Sequence, residues 1–137
     1  MRKTTRIFAA LATSVLILGS ASAADGPYLF DLIKKPSYRQ GWNGMMANAA
    51  PPQWLTAFSK GGNGVSTPSS GLEVEGIRYE LGYVCKPHDC GDNQLQVLFG
   101  AGGGKAWGLL REAGKPPKFL GNPSPAQKSA LTKALDN

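Results

Sequence analysis

The chain has 137 residues, which is enough for one globular domain but too few for two. It contains 15 Lys and Arg against 9 Asp and Glu, a formal net charge of +6. The basic residues are scattered and form no stripe interleaved with aromatics, so the composition argues against nucleic-acid binding. Eighteen glycines and ten prolines indicate short elements joined by many loops.

The first 23 residues have the pattern of a secretory signal peptide. Three basic residues precede an apolar run from Ile7 to Leu18, which is too short to cross a bilayer comfortably. The cleavage site is Ala21-Ser22-Ala23, so we expect residues 1–23 to be removed and residues 24–137 to form a single periplasmic domain with no membrane attachment. An uncleaved membrane anchor is the alternative. Removing the signal leaves 12 basic and 9 acidic residues, a net charge of about +3.

The first half of the domain has the spacing of short helices. Residues 28–33 predict one helical turn, which Pro36 ends. Ser37 is a candidate N-cap for a helix over about residues 38–49. Residues 53–58 form either a helical turn or an extended segment. The apolar residues that would bury one face of the longer helix are Trp42, Met45, Met46 and Ala49.

From Leu72 onward apolar residues alternate with polar ones, the period expected of half-buried strands. Glu75-Gly76 is a two-residue hairpin turn between the first two strands. Ser124 and Pro125 make a good N-cap and N1 pair for a C-terminal helix that would cover one sheet face. These patterns predict an α+β fold, with a central antiparallel β-sheet and flanking helices. The expected strands lie near residues 72–74, 77–83, 94–99, 106–111 and, more weakly, 119–120.

One loop between the second and third strands holds both cysteines and the only histidine of the chain. Cysteines of an exported protein are normally paired, so we expect a disulfide across the neck of this hairpin tip. A ring this small adds only about 2 kcal/mol to stability. We therefore expect the disulfide mainly to fix the shape of the tip. Pro87 fixes its own φ, and Gly91 is expected to permit a backbone turn that other residues resist. The loop reads Cys85-Lys86-Pro87-His88-Asp89-Cys90, followed by Gly91.

The residues of this loop fit a redox, haem or zinc site less well than a rigid tip. A redox dithiol is normally C-x-x-C, whereas the spacing here is C-x4-C. A c-type haem site requires histidine directly after the second cysteine, where this chain has Gly91. Zinc held by Cys85, His88, Asp89 and Cys90 would need four ligands from six residues in an oxidising compartment. A purely structural disulfide beside an incidental histidine fits the residues alone equally well.

Catalysis by the chain itself is not expected. A single histidine gives no arrangement of nucleophile and base, and the glutamates cannot be paired across a cleft from the sequence. We therefore predict no catalytic residue, no metal and no cofactor.

The loop and its surroundings resemble the Ivy family, the bacterial inhibitors of vertebrate (c-type) lysozyme. The resemblance covers residues 37–111 well and implies a periplasmic inhibitor whose disulfide-stapled loop protrudes and plugs the active-site cleft of lysozyme. It further implies that His88 meets the catalytic carboxylates, that Lys86, Pro87 and Asp89 shape or flank it, and that Cys85 pairs with Cys90. The other stretches that carry it are Pro52-Gln53-Trp54-Leu55 and Gly76-Ile77-Arg78-Tyr79.

The resemblance also defines the expected partners. The first expected partner is c-type lysozyme, and the cell's own lytic transglycosylases are an alternative target. A second copy of this chain is a further partner, which would give a homodimer. The alternative function of a different class is that of a domain that binds the cell wall itself. C-type lysozymes are strongly basic and the mature chain is itself about +3, so long-range attraction does not drive binding. Asp89 and Asp92 are the local acids that would offset this repulsion at the tip.

Overall fold

The computed structural model describes residues 26–137, so the expected signal peptide lies outside the described residues. Within this part of the chain, no helix is both long and apolar enough to cross a membrane.

A short 3-10 turn, Ala101–Gly103, follows the third strand. The helices are α1 Leu29–Leu32, α2 Pro36–Met46, α3 Gln53–Ser59 and α4 Pro125–Asp136, and the strands are β1 Ser70–Val74, β2 Ile77–Cys85, β3 Gln94–Phe99, β4 Ala106–Arg111 and β5 Lys118–Leu120.

The five strands form one antiparallel sheet in chain order, so each strand pairs with the next one. The predicted turn between β1 and β2 is confirmed: Glu75 and Gly76 have φ values of 51° and 77°, as a two-residue type I′ turn requires. The connection between β2 and β3 leaves the opposite end of the sheet. The length of β2 separates the two ends by about 26 Å.

Helices cover both faces of the sheet, which confirms the α+β class. Helices α1, α2 and α3 pack on one face, and α4 packs on the other. The middle strand β3 is therefore buried along its whole length. The strand residues on the first face are Val84, Leu95, Val97, Phe99, Ala106, Leu110 and Leu120; those on the second face are Tyr79, Leu98 and Leu109, which meet Leu131 and Leu135 of α4.

The start of α2 differs from the prediction. The helix begins at Pro36, with Lys35 as the N-cap, because the fixed φ of proline suits the first helical position. The Ser37 hydroxyl instead donates to the carbonyl oxygen of Gly102 at 2.6 Å. The glycine-rich stretch after β3 is thus fastened to α2. Gly103 has a φ of 83° and lies so close that a Cβ there would overlap the Tyr38 ring.

The C-terminal helix begins as the sequence predicts. The Ser124 hydroxyl accepts from the Gln127 backbone N–H at 3.2 Å, and the Gln127 side chain accepts from the Ser124 N–H at 2.8 Å. This reciprocal pair is a capping box, which satisfies two backbone donors at the helix start. It fixes the register of α4, so that Leu131 and Leu135 face the sheet.

Candidate functional site

All six predicted site residues lie together at the end of the sheet. The loop of residues 86–93 connects β2 to β3, and Cys85 pairs with Gln94 across its neck. Lys86 and His88 are exposed, as are Gly91 and Asp92. The remaining loop residues are partly covered, namely Pro87, Asp89 and Cys90.

A disulfide joins Cys85 to Cys90, with the two Cα atoms 4.9 Å apart. Cys85 is fully buried at the end of β2, whereas Cys90 is partly exposed. The bond therefore ties the tip of the loop to the core of the sheet. With both sulfurs bonded, neither is a thiolate for zinc or redox chemistry. Residues 26–137 contain no group of three or more His, Cys, Asp or Glu side chains placed to hold a metal ion.

His88 occupies an unusual backbone position in a tight turn. The Asp89 N–H donates to the carbonyl oxygen of Lys86 at 3.1 Å, which closes a four-residue turn. Pro87 is its second residue and His88 its third, with a φ of 64°. This is the pattern of a type II turn, in which the third residue is usually glycine or asparagine. A histidine there costs about 1 kcal/mol relative to glycine.

The expectation that Gly91 supplies the unusual backbone conformation was wrong. Its φ is not in the left-handed region, and a Cβ at Gly91 would meet no atom within 4 Å. Gly91 lies inside a helical type of turn, in which the Asn93 N–H donates to the carbonyl oxygen of Asp89 at 3.1 Å. The left-handed residue of the tip is His88.

Asn93 braces the loop and was not predicted from the sequence. It is 8% exposed. Its side-chain Nδ2 donates to Asp89 Oδ2 at 2.7 Å, and its Oδ1 accepts from the Ala113 N–H at 3.4 Å. Its carbonyl oxygen accepts from the Lys86 N–H at 3.0 Å. Asn93 therefore ties the tip to both the neck of the loop and the segment after β4.

Replacing Asn93 by alanine should lower the free energy of unfolding by about 1–2 kcal/mol, because it leaves partly buried groups at Asp89 and Ala113 without their partner. Urea unfolding measures the loss, and hydrogen exchange of the Asp89 amide measures the loosening of the tip. Asn48→Ala, at an exposed position after α2, is the matched control. Unchanged stability and unchanged exchange in Asn93→Ala would rule out the brace.

The tip carries little net charge. Asp89 Oδ2 lies 3.7 Å from Lys86 Nζ, so these two charges offset each other. Asp92 is exposed and makes no ion pair with the described residues. Burial raises the pKa of the Tyr83 phenol in β2, a group that is neutral at physiological pH even at its ordinary pKa. The tip thus presents a polar imidazole, with Asp92 as its one uncompensated charge in this part of the chain.

Sequence comparisons identify relatives of the chain. The family model described as "Inhibitor of vertebrate lysozyme (Ivy)" matches residues 37–135, from α2 to the end of α4. A Pseudomonas aeruginosa protein named "Inhibitor of vertebrate lysozyme" is 32% identical over 93% of this chain and 90% of its own length. An Escherichia coli K12 protein of the same name is 29% identical over 76% of this chain and 64% of its own. The similarity therefore extends beyond the predicted range into the C-terminal helix.

Proposed function

This chain belongs to the Ivy family of inhibitors of vertebrate lysozyme, and from that premise we propose that it is a periplasmic protein inhibitor of c-type lysozyme and not an enzyme. We further propose that it acts by placing His88 in the active-site cleft. One observation carries this mechanism: an exposed imidazole is held at a left-handed turn position by a disulfide and by Asn93. Export rests on the signal pattern of residues 1–23.

The hydrogen-bonding capacity of a neutral imidazole matches the chemistry of the lysozyme cleft. A protonated glutamic acid and an ionised aspartate flank the scissile bond in lysozyme. One imidazole nitrogen accepts a hydrogen bond and the other donates one. The ring of His88 can therefore accept from the acid and donate to the carboxylate at once. It occupies the space that the sugar needs, and neither carboxyl group has to change its protonation state.

The braced loop lowers the entropic penalty of insertion. A flexible segment loses conformational freedom when it binds, and this loss subtracts from affinity. Here Pro87 fixes its own φ, the disulfide closes the neck, and Asn93 holds Asp89. Lys86 and Asp89 flank the imidazole and pair with each other, so they bring no unpaired charge into the cleft. The loop enters the cleft already in its bound shape.

The test of this function is the clearing of a cell-wall suspension by c-type lysozyme. We expect the mature protein to stop the loss of turbidity at near-stoichiometric concentration. Undiminished clearing would contradict inhibition. Clearing by the protein alone would instead indicate an enzyme that acts on the wall.

The same assay with an endogenous lytic transglycosylase tests the alternative target. Such enzymes also use a carboxyl group in a cleft, so the same imidazole has a partner there. Inhibition of the transglycosylase at the same concentration as lysozyme would favour a role in the cell's own wall metabolism. Size-exclusion chromatography of the free protein over a range of concentrations tests the homodimer.

A further inference from the structure

An exposed apolar surface lies beside the neck of the loop. Three large apolar residues form it, and we call this set the apolar shoulder: Tyr28, Phe30 and Val65. They are 40%, 40% and 47% exposed. The other exposed large apolar side chains of residues 26–137 are Ile77, at the far end of β2, and Phe119, on the edge strand β5.

Contacts along the backbone bring the three residues together. The rings of Tyr28 and Phe30 are stacked, with centroids 5.2 Å apart and planes at 11°. Tyr28 forms a β-bridge with Pro68, three residues beyond Val65. The Leu29 N–H donates to the Ser66 hydroxyl at 3.3 Å. Residues 28–30 therefore lie along residues 65–68.

The shoulder is fixed rigidly to the loop. Val65 and Cys85 exchange two backbone hydrogen bonds, of 2.8 and 3.0 Å, so Val65 is held by the residue that anchors the disulfide. Gly64 lets this segment lie close to the core, since a Cβ there would come within 2.6 Å of Phe58 and 2.8 Å of Val84. A molecule that takes the loop into a cleft thus meets Val65 at the edge of that cleft.

Two cations lie beside the shoulder. Lys34 Nζ lies 5.5 Å from the centroid of the Phe30 ring and 2.9 Å from Asp31 Oδ1, which offsets its charge. Arg39 Nη1 donates to the Ser59 carbonyl oxygen at 2.8 Å and keeps its positive charge. Lys34 and Arg39 also line a cavity of about 240 Å³ with Phe30 and Gly64, so the apolar surface of the shoulder has a charged border on this side.

We propose that the apolar shoulder is a second contact surface for the inhibited lysozyme, which packs an uncharged, apolar patch at the lip of its cleft against Val65 and Phe30. This inference rests on the proposed function. Burial of apolar surface supplies affinity that does not depend on charge, which suits two proteins that both carry net positive charge. In this arrangement His88 plugs the cleft, while the shoulder slows dissociation.

The test compares two double variants in binding to c-type lysozyme. Val65→Thr with Phe30→Gln removes apolar surface from the shoulder, while threonine keeps the branched shape that suits the pairing with Cys85. Ile77→Thr with Phe119→Gln makes comparable apolar-to-polar changes at exposed positions away from the loop. We expect the shoulder variant to bind about tenfold more weakly, mainly through faster dissociation, and the control to stay within about twofold of the wild type.

The outcomes separate this inference from the proposed function. If His88→Gly weakens binding but the shoulder variant binds like its control, the inference about the shoulder is wrong, whereas the insertion of His88 into the cleft is still supported. If the wild type does not bind lysozyme at all, both fail. If the free wild type is a dimer that the shoulder variant loses, with lysozyme binding unchanged, the surface belongs to a second copy of this chain and the inference is overturned. The single variant Val65→Thr perturbs the fold less than the double variant, and it should show part of the loss of lysozyme affinity.

Discussion

Replacing His88 by glycine should weaken the inhibition of c-type lysozyme by about 2–4 kcal/mol, or about 30- to 700-fold, while the protein stays folded. The change removes the imidazole and leaves the two carboxyl groups of the cleft without their partner. Glycine adopts a φ of 64° readily, so the turn between Lys86 and Asp89 is retained. The inhibition constant from the turbidity assay measures the loss, and urea unfolding measures the stability.

Two further substitutions separate the ring from the backbone. His88→Ala removes the same ring but keeps the left-handed strain, so it should inhibit as poorly as His88→Gly and be less stable by about 1 kcal/mol. His88→Asn suits the turn and retains a donor and an acceptor on a shorter side chain, so its inhibition should lie between glycine and the wild type. If His88→Gly inhibits as well as the wild type, the imidazole is not the plug.

Removing the disulfide should weaken inhibition by about 2–3 kcal/mol, because two or three freed backbone residues must be ordered on binding at about 1 kcal/mol each. The variant is Cys85→Ala with Cys90→Ala, since alanine avoids burying a hydroxyl group at the fully buried position 85. Its free energy of unfolding should fall by about 2 kcal/mol, which a typical domain tolerates. The turbidity assay and urea unfolding measure the two effects.

A thiol reagent provides the matched control for this variant. Reduction of the wild type should reproduce the loss of inhibition, whereas the same treatment of the double alanine variant should change nothing. Equal potency of the oxidised and reduced wild type would show that preorganisation by the disulfide does not contribute.

Local sequence patterns predicted the fold and the disulfide-closed loop between β2 and β3 well. The period of two along β2, β3 and β4 depends only on neighbouring residues, and so does the two-residue turn at Glu75-Gly76. The pairing of Cys85 with Cys90 is likewise local, since five positions separate them along one hairpin. The N-cap at Ser124 combines a hydroxyl with a following proline, a strong local signal.

Features that depend on contacts between distant residues were missed. The brace at Asn93 involves Ala113, twenty positions away, so nothing in the loop sequence reveals it. Gly91 was expected to permit a backbone turn that other residues resist. The left-handed residue is instead His88, which follows Pro87 in the turn closed by Asp89. The apolar shoulder joins residues 28–30 to Val65, which only the folded chain brings together.

Insertion of His88 into the lysozyme cleft is tested most directly by competition with an oligosaccharide of N-acetylglucosamine that fills the cleft. The measurement is the apparent dissociation constant of this protein for c-type lysozyme at increasing oligosaccharide concentration, by calorimetric titration. We predict that the constant rises linearly with the free oligosaccharide concentration, because the two ligands exclude each other. A constant that does not change, with a ternary complex of lysozyme, oligosaccharide and this protein, would contradict the insertion of the loop.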